Sequence, residues 1–473
     1  MKKALWFCGL LLAVYGLGAA DFSVDLNAPD GAIKKALHGS GYMPTICNQA
    51  NFNGNDHFKA LNFTYSRTHD QALNNPGQRV VDTIFVFPLE KLDPADPGNY
   101  YFASTDYLLQ NLVACGTLPY YRLGVSIEHN LDDHHFNTAM PQDAKHYAKI
   151  LAGIIRHYNH NWANGFEMNI PYWEIWNEPE LPQMWAGNMA EFNQFFVTVL
   201  KELKAEFPNE KIGGAGFARL NGGSTGEKNL RELLALCKAQ NVAPDFISFH
   251  HYGYDPQGAV RYINNIRKIV DEFGFTKTEL HLNEWHYNIG FEWKKQSDWE
   301  KPFGNGGVDS AAYNIAMFSG FHDSPLDVSC YYGAGRSGDF GTWGFYDRQG
   351  ELNRNYYSMQ MIGDLVKNYP ARIRASVDVP NEAAAPEFAV KSIIAGSSPD
   401  GKNAMILISD YRGSGKLLTV ELKGLPDDAT FEVVRLDQGS NDLQIPVRFA
   451  NGFLTLKKSA PGSAVFMVKI SAK

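Results

Sequence analysis

Positive charge is the first thing this sequence lacks: 43 Lys and Arg face 51 Asp and Glu, for a formal net charge of −8. Phosphate backbones are bound largely through Lys and Arg, so the deficit argues against a nucleic-acid partner. Cysteine is scarce too, with 5 in 473 residues. Cys47, Cys115, Cys237 and Cys330 stand too far apart for a CxxC metal motif or a disulfide scaffold, and one disulfide or four buried thiols fit equally well. After residue 20 no apolar run reaches the roughly 18 residues of a membrane span. The start, Met1-Lys2-Lys3, then the apolar run Ala4 to Leu17, then Gly18-Ala19-Ala20, has the three parts of a secretory signal peptide. Cleavage is expected near Ala20, and the mature chain is expected to be secreted or periplasmic. Bulky Leu5-Trp6-Phe7 before Cys8 speak against a lipid-anchor cleavage box.

Aromatic surface is plentiful: 23 Tyr, 30 Phe and 9 Trp make up 13% of the chain. Flat apolar faces without excess positive charge suit an uncharged partner, a carbohydrate before a nucleotide. From residue 36 to 372 short β-rich segments alternate with helical-period segments. Strands are expected at 37–41, 63–67, 119–125, 172–176, 211–216, 246–249, 279–283 and 328–332. Phe192, Phe195, Phe196, Leu200 and Leu203 show the i, i+3, i+4 spacing of the helices between them. Eight βα units suggest a TIM barrel, although a doubly wound open sheet would show the same alternation. From 373 to 473 the pattern becomes strands without helices, at 387–395, 403–409, 416–423, 430–436, 445–449, 452–456 and 464–470, which reads as a C-terminal β-sandwich. The alternating stretch at 21–35, chiefly Phe22 to Leu26, could add a strand to it. The sandwich carries few chemical residues, so it reads as a packing domain or a carbohydrate-binding module.

Residues 173 to 180, Trp-Glu-Ile-Trp-Asn-Glu-Pro-Glu, set three carboxylates among two indoles and a proline that ends the strand. Loop acids solvating a turn would be the ordinary explanation. Against Trp176, however, an acid is desolvated, which favours its protonated form, as a general acid needs. Glu178 sits at the strand end, Glu174 lies inside the strand and needs a basic or hydrogen-bonding neighbour, and Glu180 follows the proline as a loop acid. Cleaving a glycosidic bond usually takes two carboxylates. Glu284, in His-Leu-Asn-Glu-Trp-His from 281 to 286, lies 106 residues after Glu178. That is three βα units, which puts the pair at the ends of strands four and seven, across a barrel mouth. Glu128 to His135 is rich in His and acids but lacks HExxH, and reads as a polar loop rather than a metal site. No cofactor is expected.

An Asn-Glu pair ending strand four within Trp176 to Pro179, with a second Glu ending strand seven, resembles glycoside hydrolase clan A. The finer pattern is similar to glycoside hydrolase family 39, the β-xylosidases and α-L-iduronidases. It rests on Asp245 to Tyr252 (DFISFHHY), Gly116 to Gly124 (GTLPYYRLG) and Tyr356 to Leu365 (YYSMQMIGDL), and covers about 37 to 370. The resemblance implies Glu178 as acid/base and Glu284 as nucleophile of a retaining double displacement. It implies Asn177 on the sugar 2-hydroxyl, Tyr252 donating its phenol proton to the nucleophile, and Arg67 as a positive charge beside it. His69 and His250 would contact sugar hydroxyls or be satisfied core histidines. Trp285 and Trp343 would stack on sugar faces, and Trp185 would form an outer subsite, with core packing the alternative for each. His286-Tyr287-Asn288 and the glycine-rich 333–344 depart from a β-xylosidase pattern at the pocket mouth. Arg67, Arg122 and Arg336 are the arginines available for an acidic sugar, which is less favoured than a neutral one.

Exo action on a neutral sugar is therefore expected. A non-catalytic carbohydrate-binding barrel, an endo-acting glycanase and a transglycosylase are the rival readings on the same scaffold.

Overall fold

The computed structural model describes residues 20–44, 46–47, 52–69, 79–125, 140–220, 224–289, 307–333, 344–346, 351–379 and 387–472. The proposed leader, Trp343, Arg336 and the stretch 128–135 lie outside them.

Strand β1 (Phe22–Ala32) precedes the barrel, which opens with β2 (Gly39–Gly41). A small ribbon, β3 (Ile46–Cys47) and β4 (Phe52–Asn53), and the short helix α1 (Asn55–Ala60) lead to β5 (Tyr65–Arg67). Helices α2 (Thr83–Val86) and α3 (Ala103–Ala114) precede β6 (Leu118–Leu123). Strands and helices then alternate through α4 (Ala144–Asn159), β7 (Tyr172–Ile175), α5 (Met189–Glu206), β8 (Lys211–Phe217), α6 (Ser224–Ala239) and β9 (Phe246–Gly253). The barrel ends with α7 (Pro256–Glu272), β10 (Glu279–Tyr287), α8 (Val308–His322), β11 (Val328–Tyr332) and α9 (Arg354–Asn368). In the order β10-β11-β2-β5-β6-β7-β8-β9 the strands close into a barrel, which decides against the open sheet. The eight strands are those expected from the sequence.

Helix α5 shows how the sequence builds one unit. Asn188 accepts the Glu191 N–H while the Glu191 carboxylate accepts the Asn188 N–H, a capping box that contributes about 1 kcal/mol. Phe192, Phe195, Phe196, Leu200 and Leu203 then form its buried face. Helix α8 differs, for nearly every residue from Val308 to Phe321 is buried. A helix apolar all round must be covered on both sides, and the second cover is the C-terminal sheet.

That sheet comprises β1 with β12 (Ala371–Val377), β13 (Val390–Ser397), β14 (Asn403–Tyr411), β15 (Leu417–Lys423), β16 (Thr430–Asp437), β17 (Ser440–Gln444), β18 (Phe449–Ala450), β19 (Phe453–Lys457) and β20 (Ala464–Ser471). Its order is β17-β16-β20-β14-β13-β12-β1-β15-β19-β18, so β1 joins it between β12 and β15. Strands from both flanks, such as β20 with Phe466 and β19 with Leu454, share one apolar cluster, so the sheet folds over a common core as a sandwich does. Strand β14 alternates between two cores. Ala404, Ile406 and Ile408 face the sheet core, while Met405, Leu407 and Tyr411 join the barrel core.

Two boundaries differ from expectation. Strand β12 begins at Ala371, so the border anticipated after residue 372 falls inside a strand. The strand expected at 445–449 is instead the hairpin arm β17, paired with β16, and the two-residue β18. Pro446 has no N–H to give a ladder.

Candidate active site

At the end of β7 the backbone turns sharply. Trp176 (φ 74°) and Glu178 (φ 45°) both occupy the left-handed region, costly for non-glycine residues. Hydrogen bonds hold them there: Trp176 N–H donates to the Leu123 carbonyl at 2.8 Å and Glu178 N–H to the Gly216 carbonyl at 2.9 Å. The Trp176 indole donates to the Met184 carbonyl at 2.8 Å. The Gly216 position (φ 61°) favours glycine, because a side chain is strained at that φ and a Cβ there would stand 3.1 Å from both Asn177 Oδ1 and Glu174 Oε1.

Arg67, at the end of β5 and wholly buried, organises the site. It donates through Nε to Glu174 (2.6 Å), through Nη1 to Glu284 (2.7 Å) and through Nη2 to Asn177 (2.6 Å). Glu174 accepts further from Ser248 and from Asn283 Nδ2, each at 2.6 Å. Asn283 and Glu284 both reach inward because β10 has a register irregularity between Leu282 and Glu284; a regular strand would send neighbours to opposite faces. Tyr252 donates its hydroxyl to Glu284 Oε2 at 2.6 Å, and His69 Nε2 lies 3.1 Å from Glu284 Oε1. Both carboxylate oxygens of Glu284 therefore accept hydrogen bonds.

Glu178 has a different setting. Among its contacts is His250, whose Nδ1 stands 2.9 Å from Oε1, and its side chain keeps 17% of its accessible surface where Glu284 keeps 5%. Burial lowers the His250 pKa to about 4, with Glu284 pulling the other way, so the imidazole is neutral near pH 7. His250 Nε2 is buried without a partner among the described residues. The tautomer with its proton on Nδ1 donates to Glu178 and leaves only a lone pair at Nε2.

Burial alone would lower the Arg67 pKa, but Glu174 and Glu284 outweigh it and raise it. Burial would likewise raise Glu174, and Arg67 with the Ser248 and Asn283 hydrogen bonds brings it below the usual carboxylate range. The Tyr252 phenol is raised well above its usual value by burial and then by Glu284, so it stays a donor.

Glu178, Glu284, Asn177, Tyr252, Arg67, His69 and His250 thus meet at one barrel mouth, as the sequence placed them. Trp285 does not join them. It is 3% exposed and packs edge-on against Phe321 (5.4 Å) and Tyr331 (5.1 Å), in the layer between barrel and helices. Trp185 is also core, against Trp176 and Phe192. Tyr287 is buried against Tyr313 rather than at the mouth, and buried Arg122 donates to Asp82 at 2.5 Å. Glu180 is no free loop acid: Oε1 accepts the Arg219 N–H at 2.9 Å, while Oε2 is closed off from solvent with no hydrogen-bond partner among the described residues. Burial pushes its pKa up to about 7, with backbone N–H groups opposing and Glu178 assisting.

Sequence reasoning also missed Tyr42 and Tyr332. Tyr332 lies edge-on to His69 (5.5 Å), Tyr42 (5.7 Å) and Tyr252 (6.0 Å), making an aromatic wall beside Glu284. Its position at the end of β11 was the available signal.

Potential ligand atoms of Glu178, His250 and Glu284 all lie within 4.8 Å of one another. A guanidinium 2.7 Å from Glu284 makes this donor set a poor one for a divalent cation, since Arg67 already neutralises it. For two carboxylates, oxygens within 4.8 Å stand nearer the roughly 5 to 5.5 Å of a nucleophile and an acid flanking one bond than the roughly 6.5 to 9.5 Å that leaves room for a water.

The family model for glycosyl hydrolases family 39 matches residues 36–288. The chain belongs to glycosyl hydrolases family 39. This family 39 protein is 20% identical over 265 residues to a beta-xylosidase from Geobacillus stearothermophilus, in an alignment covering 50% of this chain and 49% of that one. It thus spans about half the length of that relative. In fold it is similar to a glucosidase from Croceicoccus marinus, with TM-score 0.76 and 22% identity over 96% of this chain and 99% of that one. It is also similar to a family 39 beta-xylosidase from Caulobacter crescentus, with TM-score 0.67 and 16% identity over 95% and 99%.

Proposed function

We propose that this protein is a retaining glycoside hydrolase that releases a neutral sugar, xylose-like, from the end of an oligosaccharide or polysaccharide outside the cytoplasm. The observation that carries the reading is the pair Glu178 and Glu284, set within 4.8 Å in unlike surroundings. Glu284, held by Arg67 and Tyr252, attacks the anomeric carbon. Glu178 protonates the leaving oxygen, then, as a carboxylate supported by the His250 N–H, takes a proton from the water that frees the sugar. Asn177, its Oδ1 engaged by Arg67, keeps its amide N–H groups for the 2-hydroxyl. Tyr42 and Tyr332 offer aromatic surface to the sugar. A neutral sugar is favoured because Arg67 and Arg122 are committed to internal carboxylates, and because the similar proteins carry the names beta-xylosidase and glucosidase.

Glu178→Gln and Glu284→Gln should each lower turnover of a nitrophenyl glycoside by about 10³-fold or more while the protein stays folded. A 2-fluoro-sugar should label Glu284 covalently. Near wild-type turnover in either variant removes that residue's role, and tight sugar binding without label or turnover favours a binding barrel. Product size from a polysaccharide digest decides exo against endo action, and the N-terminus of the exported protein tests cleavage near Ala20.

A further inference from the structure

The C-terminal sheet reaches the strand ends that carry the site. Tyr411, the last residue of β14 and wholly buried, donates its hydroxyl to the Tyr254 carbonyl at 2.9 Å. Arg412 follows and lays its guanidinium over the Tyr254 ring at 5.3 Å and over Tyr411 at 5.2 Å. Phe388 meets Tyr254 edge-on at 5.2 Å. Tyr254 is two residues beyond Tyr252. The same residues touch the other strand end: Tyr287, three residues past Glu284, packs edge-on against Tyr411 at 6.4 Å. Asn288 N–H donates to the Gly253 carbonyl at 2.9 Å, tying the two ends together. Arg412 is itself anchored, donating to the Glu387 carbonyl at 3.1 Å.

We propose that Tyr411 and Arg412 are positioning residues for the Tyr252–Glu284 hydrogen bond, so that the sheet is a working part of the active site and not only a cover for α8. The inference rests on the glycosidase reading. Tyr252 lies beyond the last pairing of β9 with β8, at Phe249, and there pairs with β10 at His286; a bond to a carboxylate acceptor weakens steeply when its donor tilts. Displacement of a reacting group by about 1 Å can cost ~10²-fold in rate. The interface supplies its own control. Two residues before Tyr411, Ser409 donates to the Ala312 carbonyl at 2.7 Å, a buried bond that grips a helix instead of a strand end.

The test compares Tyr411→Phe, Arg412→Gln and Ser409→Ala in the full-length protein. The groups facing Glu284 are Arg67, His69, His250 and Tyr252, with Glu174 and Glu178 beyond them, and none is altered. Tyr411→Phe and Arg412→Gln should lower kcat on an aryl glycoside ~10-fold with little change in KM. They should move the acid limb of the kcat/KM profile to higher pH, and speed hydrogen exchange in peptides spanning 250–254 and 284–288. Ser409→Ala should lower Tm comparably while leaving kcat, the pH profile and those peptides as in the wild type. If the Tyr411 and Arg412 variants keep the wild-type profile and exchange, or if Ser409→Ala reproduces their changes, the positioning role is overturned. A wild type that neither turns over nor takes the fluoro-sugar label defeats the glycosidase reading separately, and the exchange data then decide the positioning alone.

Discussion

The floor and the mouth of the barrel are built from the same strands and follow opposite rules. At the floor, inward residues are rings: Tyr120, Tyr172 and Phe246 form one apolar cluster, and His281 stacks on Phe246 at 4.3 Å. Moving up the inward-facing positions, Tyr172 gives way to Glu174, Phe246 to Ser248 and His281 to Asn283, the last two donating to Glu174, which Arg67 holds from its other oxygen. At the mouth stand Glu178, His250 and Glu284. Each layer of a TIM barrel takes its side chains from several strands, so function here occupies whole layers. The floor stabilises by burying apolar surface. The upper layers hold charges whose desolvation is offset only because every carboxylate has partners.

Arg67→Met would break that contrast most severely. It removes the guanidinium from Glu174 and Glu284 together, leaving two buried carboxylates without their shared counter-charge, and should cost about 3 to 5 kcal/mol in a denaturant titration. Turnover should collapse with it, since Glu284 and Asn177 lose their common anchor. If stability instead matches the wild type, the cluster is not what holds the upper layers.

Phe246→Ala probes the other side of the comparison. Deleting a wholly buried ring should cost about 3 to 5 kcal/mol, yet kcat at a temperature where the variant remains folded should stay within about twofold of wild type, because the rings it packs against, Tyr120, Tyr172 and His281, belong to the floor. A large loss of kcat with modest destabilisation would show that the layers are coupled rather than stacked independently.

Much of this was legible before any coordinates. Short β-rich segments alternating with amphipathic ones announced the barrel strands, and acids set among indoles at strand ends pointed to the mouth. Trp285 was misjudged through parity: beside an inward Glu284, an adjacent strand residue faces the helices, and the bulge gives the extra inward place to Asn283 instead. Ser248 was recoverable by the same rule, midway between inward Phe246 and inward His250. The grip of Tyr411 on Tyr254 spans 157 residues and leaves no local pattern, so only the folded chain reveals it.

Glu180→Gln tests the mouth where its accounting is least complete, with the smallest effect. The folded pKa of Glu180, about 7, stands above its ordinary 4.5, so between those values the folded state binds a proton that the unfolded chain releases. The stability this contributes is full below pH 4.5 and is lost as pH rises through 7. Glutamine resembles the neutral acid at every pH. The substitution should therefore be nearly silent at pH 4.5 and should stabilise the protein by about 3 kcal/mol at pH 8 relative to wild type. Buried His38, His250, His251 and His322, each lowered to about 4 by burial, oppose this trend by favouring folding above pH 6.5. They are common to both proteins, so the difference between variant and wild type cancels them. Equal stability at pH 8, or a loss there, would mean that Oε2 is solvated in solution and that the mouth is wetter beside Glu178 than the buried oxygen implies.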